Sequence, residues 1–285
     1  MEFSLSTNQP LGTHDVFRDV LAWSPAEAQQ WVTALRLRAA APDQRRLRAM
    51  LLELAQLQPG QRAVEIGCGT GALLVELARA VGPTGQVVGF EPQPMLAQAA
   101  RELLRAEELQ EVAGVREDSA EHLPLPSAST DACVAQTVLI HLPAAVQEQA
   151  LQEMARVVRP GGRVVSLDQD GDTWVIDHPD RALTRRIVQF NSDQRYADGW
   201  TGRRLGRLFR ATGLQQVQVH ALVHTDTATD SYLHGMAGRI AGAAAEVGVV
   251  THAEKENWVR QLHELASQGD FFSSITYYAA VGIRL

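Results

Sequence analysis

The residues best suited to chemistry begin with one run, Val64-Glu65-Ile66-Gly67-Cys68-Gly69-Thr70-Gly71, which ends a short apolar segment and opens a helical one. Glycines at this spacing serve a sharp turn, close approach of the backbone to a ligand, and tight packing of helix on strand. Cys68, inside the run, reads as a small packing residue rather than a nucleophile. The next apolar segment ends in Gly89-Phe90-Glu91-Pro92, which places an acid 20 residues beyond Gly71. A carboxylate there accepts hydrogen bonds from both hydroxyls of a nucleoside ribose. Pro92 leads on to Met95 and Leu96, an apolar side chain beside the expected base. A third segment ends in Glu117-Asp118-Ser119, where Asp118 could accept from an exocyclic amine. A fourth ends at Gln136, and His141-Leu142-Pro143 follows it. Histidine as a residue type suits a general base, and His141 stands where a strand end meets a ligand crevice, although it could equally cap the next helix.

Other groups invite sharper readings than they carry. Asp168, Asp170 and Asp172 could hold a divalent cation, but acidic loop ends are more often solvated or capping. His220 and His224 share a strand face without an evident third ligand, so zinc is not expected, and no metal site is assigned. Arg45, Arg46 and Arg48 lie on a helix before the first strand; one of them could reach a ligand carboxylate.

Those side chains need a scaffold, and the pattern supplies one. Helical patterns over Pro25–Ala41 and Asp43–Leu57 give way at Pro59-Gly60 to short apolar runs alternating with helices. Strands are expected at Ala63–Ile66, Gln86–Phe90, Val112–Arg116, Asp131–Gln136 and Arg163–Leu167. Helices are expected at Gly71–Val81, Pro94–Arg105 and Ala144–Val157. That alternation argues for βαβ units and a doubly wound parallel sheet. Arg203–Ala211 then reads as a helix and Gln216–Val223 as a strand. A helical stretch over Thr229–Ser267, broken near Gly248–Thr251, precedes a last strand at Ser273–Arg284. The chain is thus expected to be one α/β domain, with an N-terminal helical segment and lid over 1–60 and a core over 61–224. A helical lid insertion over 225–272 and a final core strand over 273–285 complete it.

Composition narrows the partners. Of 285 residues 45% are apolar, ample for a core. Lys plus Arg number 26 against 33 acids, a net charge of −7, which disfavours phosphate-backbone binding and so nucleic acid. Two cysteines, the lack of a secretory signal and the lack of a membrane-length apolar stretch point to a cytoplasmic protein without stable membrane insertion. A homodimer stays open.

The motif run resembles the class I S-adenosylmethionine-dependent methyltransferases, and among them the small-molecule enzymes related to the ubiquinone and menaquinone methylases. The resemblance covers about residues 45 to 170. It implies a seven-stranded sheet whose last strand is antiparallel beside Gln216–Val223, and S-adenosyl-L-methionine as cofactor. It further implies that Gly67, Gly69 and Gly71 line the methionine moiety, with Glu65 and Cys68 in the same loop. Glu91 and Pro92 would lie at the ribose, Met95, Asp118 and Ser119 around the adenine, and Gln136 near the methyl. Glu65 stands where many relatives have Asp. A nicotinamide dinucleotide, the rival, would need G-x-G-x-x-G to seat a pyrophosphate, whereas this chain has G-x-G-x-G. The expected activity is O-, C- or N-methylation of a small, apolar or aromatic acceptor, with His141 as base and quinone or secondary metabolism as the setting. The alternative is a methyltransferase-fold protein that binds the cofactor without transferring methyl, as a cyclase or structural partner. Trp174, Phe190, Tyr196, Trp200, Tyr232, Phe271 and Phe272 are the rings from which an acceptor pocket would be drawn.

Overall fold

A computed structural model describes Asp15, Phe17 and residues 19–285. The rest of the N-terminal segment, residues 1–14, 16 and 18, lies outside the described residues.

The sheet is built from β1 (Arg62–Ile66), β2 (Gln86–Phe90), β3 (Ala113–Arg116), β4 (Thr130–Gln136), β5 (Val158–Gln169), β6 (Val175–Ile176), β7 (Gln215–Asp226) and β8 (Ser273–Ile283). Its order is β3-β2-β1-β4-β5-β8, with β7 on the far side of β8. β1 to β5 run parallel, and β8 is antiparallel to both β5 and β7. The expected last strand therefore inserts as anticipated. The eighth strand is β6, a two-residue piece that extends the β5 side of β8 after an irregular turn. Two residues are too few to leave a periodic signal.

Helices α1 (Pro25–Ala40), α2 (Pro42–Ala55), α3 (Ala72–Val81), α4 (Pro94–Ala106), α5 (Ala144–Val157), α6 (Arg181–Asp193), α7 (Thr201–Ala211), α8 (Tyr232–Glu246) and α9 (His252–Gln268) cover both faces. α1 starts at a capping box, Ser24 and Glu27 exchanging bonds across the first turn, with Pro25 at the position where a missing N–H costs nothing. α9 repeats the device with Thr251 and Glu254, and Gly269 closes it in the left-handed conformation. α6 went unanticipated, although Asp180 caps it and Leu183, Ile187 and Phe190 bury one stripe.

Alternation along β1 sorts the two cores. Val64 and Ile66 pack toward α5 and α7, whereas Ala63 packs into the larger core with α2, α3 and α8. Leu47 and Leu51 of α2 share that larger core with Trp258 of α9, so the N-terminal helices and the insertion after β7 are packed onto the sheet. Each such fully buried leucine contributes about 1.5–3 kcal/mol. Consequently α1 is held against α4 and α8 above the carboxyl ends of the parallel strands.

Candidate active site

The strand order reverses between β1 and β4, and the turns after those strands part to leave a crevice. A cavity of about 560 Å³ opens there, walled by the β1, β2 and β4 turns, by α1 and by α8.

The glycine turn is required by geometry at two points. Gly67 has φ +61°, and a Cβ there would meet Val138 Cγ2 at 2.5 Å. Gly71 has φ +87° and stands at the N-cap of α3, where a Cβ would come within 3.1 Å of the Ala100 backbone. Gly71 thus permits α3 to pack on α4 and does not line the cavity.

Glu91 closes the turn from the other side. Its Oε2 accepts from the Gly69 N–H at 2.9 Å, and its Oε1 from the Gln93 N–H at 3.0 Å. Burial pushes the carboxyl up to about 7, and these two donors partly restrain the rise. Glu65 is more extreme. Burial, reinforced by the charge of Glu91, pushes it up to about 8 against the pull of Arg48. Arg48 is itself committed to Glu76, Nε to Oε1 at 2.6 Å. Glu65 Oε2 is left buried with no hydrogen-bond partner. An orphaned acidic oxygen at the floor of a crevice fits a ligand that brings its own cation, such as the ammonium and sulfonium of S-adenosylmethionine.

Of the residues expected at the cofactor, Glu65, Gly67, Cys68, Gly69, Glu91, Pro92, Ser119 and Gln136 line the cavity. Met95 and Asp118 do not. The Gln93 side chain caps α4 by accepting from the Met95 and Leu96 N–H groups, and in that setting Leu96 rather than Met95 lines the cavity. Asp118 instead accepts from the Ser119 N–H at 3.1 Å. Cys68 lines the loop, but burial pushes its thiol far above the usual range, so it is no nucleophile.

His141 ends a 3-10 turn, Leu139–His141, and lines the cavity. Its Nδ1 lies 2.9 Å from both carboxylate oxygens of Asp15, in the N-terminal segment. Asp15 also accepts from the Phe17 and Ala197 N–H groups at 2.9 and 3.2 Å. Burial opposes its charge, but His141 and those donors together hold the carboxyl below its ordinary value. A charged carboxylate only accepts, so Nδ1 carries a proton, and in the neutral imidazole the lone pair is then on Nε2. Phe17 and Tyr196 pack on the imidazole at 4.6 and 5.5 Å between centroids.

The seven rings considered for the acceptor pocket separate cleanly. Tyr196 and Tyr232 line the cavity, Trp174, Phe190 and Phe271 are in the core, and Trp200 and Phe272 are exposed. Phe17 and Trp31 of the N-terminal segment complete the aromatic wall, as does Arg38 its polar part. Asp168 anchors the His141 turn by accepting from the Ile140 N–H at 3.1 Å, and Asp170 pairs with Arg203. Among the described residues no group of three His, Cys, Asp or Glu is placed to hold a metal, and no helix is long and apolar enough to cross a membrane.

Comparison with known proteins agrees with this geometry. Residues 63–162 match a methyltransferase domain family. An uncharacterized 37.1 kDa protein in transposon TN4556 of Streptomyces fradiae is 33% identical over 241 residues, 83% of this chain and 66% of that one. A demethylmenaquinone methyltransferase of Desulfitobacterium hafniense is 36% identical over 121 residues, 42% of this chain and 47% of that enzyme. The matches thus span less than two thirds of the length of either relative. A solved putative methyltransferase from Bacillus halodurans shares the fold, with a TM-score of 0.60 over 83% of this chain and 98% of that one at 15% identity. Residues 63–162 thus carry a methyltransferase domain, and the sheet order around them is that of the methyltransferase fold.

Proposed function

We propose that the protein transfers a methyl group from S-adenosylmethionine to a small organic acceptor with an aromatic or apolar body. One observation carries this reading: the Glu65 and Glu91 carboxylates and His141, which Asp15 holds from behind, line a single cavity with Phe17 and Trp31. When bound, the cofactor supplies an electrophilic methyl on a positively charged sulfur.

The chain's own residues then have three tasks. Glu91 holds the ribose through its two oxygens, and Glu65 balances the ligand's cationic end. Gln136, at the end of β4, marks the boundary between cofactor and acceptor. The aromatic roof excludes water and keeps the acceptor's nucleophile in line with the methyl, which accounts for most of the barrier reduction such a displacement needs. For a phenol or an acidic carbon, His141 Nε2 takes the proton as the new bond to carbon forms, and Asp15 stabilises the resulting imidazolium. Helix α1 with Phe17, and residues 227–272, which carry α8 and α9, act as the lid over this space.

Incubation with methyl-labelled S-adenosylmethionine and a panel of phenols, naphthols and activated methylene compounds tests the reading. Label should move to one acceptor class with stoichiometric S-adenosylhomocysteine. An acceptor rearranged or cyclised with no S-adenosylhomocysteine formed would overturn methyl transfer in favour of the non-transferring alternative.

A further inference from the structure

Charges of both signs line the cavity. The acids are Asp19, Glu65, Glu91 and Glu121. The guanidiniums are Arg38, Arg48, Arg195 and Arg239. Arg38 is the most telling of them. It rises from α1, and its Nη1 donates to Thr137 Oγ1 at 2.9 Å. Its Nε and Nη2 are buried and make no hydrogen bond of good geometry, although the Tyr277 hydroxyl, which Gln44 Nε2 reaches at 3.3 Å, lies close enough to interact with the group. The group sits 5.8 Å from the ring of Tyr232, and a phenol face attracts a cation without accepting its N–H bonds. The neighbouring Asp168 is already engaged by the Ile140 N–H and the Ser166 hydroxyl. Thr137, at the tip of β4, is held at φ +53°, a costly conformation for a β-branched residue and one expected where a site is over-determined by its surroundings.

A buried guanidinium with two unused donors is expensive unless an anion completes it, and its planar fork matches a carboxylate or phosphate. Resting on the proposed methyl transfer, we infer that the acceptor is an organic anion, an aromatic or apolar body bearing a carboxylate or phosphate, and that Arg38 is the residue that anchors its charge. The unpaired donors then become the specificity element. A neutral analogue of the same shape leaves them unsatisfied and is rejected for that reason.

The same chemistry could come from the methionine carboxylate of the cofactor, so the test separates the two sources. Binding to the full-length protein, saturated with S-adenosylhomocysteine, is measured by calorimetry for 2-naphthoate and 2-naphthyl phosphate against 2-naphthamide. At least one anion should bind about tenfold or more tighter than the amide, the scale of a charge-assisted bond. In Arg38→Gln that preference should shrink to within about twofold, and Arg38→Lys should restore part of it, while affinity for S-adenosylhomocysteine stays within about threefold. Equal affinity of anion and amide in the unmodified protein, or no binding of either anion, overturns the proposal without recourse to any variant. It is overturned equally if Arg38→Gln weakens S-adenosylhomocysteine about tenfold yet leaves its decarboxylated analogue unaffected, because Arg38 then serves the cofactor. These readouts need no turnover, so a failure of methyl transfer itself would show up separately, as absent label transfer with the anion preference intact.

Discussion

Replacing Glu91 by alanine should weaken S-adenosylhomocysteine binding about a hundredfold. The carboxylate stands at the end of β2 with both oxygens already oriented, Oε2 by the Gly69 N–H and Oε1 by the Gln93 N–H. The free lone pairs of such a carboxylate accept the two ribose hydroxyls. Two charge-assisted bonds at roughly 1.5 kcal/mol each total about 3 kcal/mol, and each 1.4 kcal/mol is a factor of ten. The same site fixes a pH dependence. In the free protein Glu91 is pushed up to about 7 and Glu65 up to about 8. A ligand bringing hydroxyl donors and an ammonium favours both charged forms, so binding releases protons. Affinity should therefore fall as pH drops through 8 and then 7. Calorimetry between pH 6 and 9, repeated in buffers of different ionisation enthalpy, reads both affinity and protons released. A folded Glu91→Ala protein with unchanged affinity, or a wild-type affinity that improves toward pH 6, would refute the assignment of Glu91 to the ribose and of Glu65 to the cation.

Other consequences follow from the same geometry. Asp15→Asn presents an amide to His141, favouring the tautomer with its proton on Nε2; with an ionisable acceptor, turnover should drop about a hundredfold while cofactor affinity stays within a few-fold, and unaltered turnover would make the pair structural. His141→Ala should match that loss, and the double variant should lose little more than either single one, as a cycle of kcat values will show. Glu65→Gln removes a carboxyl held up to about 8, whose native-state preference for the neutral form is fully present below the unfolded value near 4.5 and is lost as pH rises through 8. Its ligand-free melting temperature should accordingly exceed that of the wild type above pH 8 and equal it near pH 4, while its cofactor binding weakens. Adding S-adenosylhomocysteine and an acceptor should slow amide exchange in Ser231–Gly242 and around Phe271; slowing confined to the glycine turn and Glu91 would remove α8 from the lid.

What the sequence determined by itself was the part of the molecule encoded locally. The glycine turn, the acid closing β2 and the alternation of strands with helices all rest on backbone requirements spanning a few residues, whereas the antiparallel last strand was implied only by the resemblance. Such requirements leave a readable spacing, because only certain residue types satisfy them. Even there the reading reached the element before the side chain: α4 was expected within a residue, yet Leu96 instead of Met95 lines the cavity, since one step along a helix turns a side chain by about a quarter of the circle. Tertiary structure alone decided which distant residues complete the site. Asp15 and His141 are 126 positions apart, and no periodicity connects them. Arg38 carries no spacing signal at all; only the packing of α1 against α4 and α8 brings it to the cavity with two guanidinium nitrogens buried. Of the seven rings considered for the pocket, only packing could assign two to the cavity and three to the core, because the same burial of apolar area drives both placements and leaves the same signature in the chain.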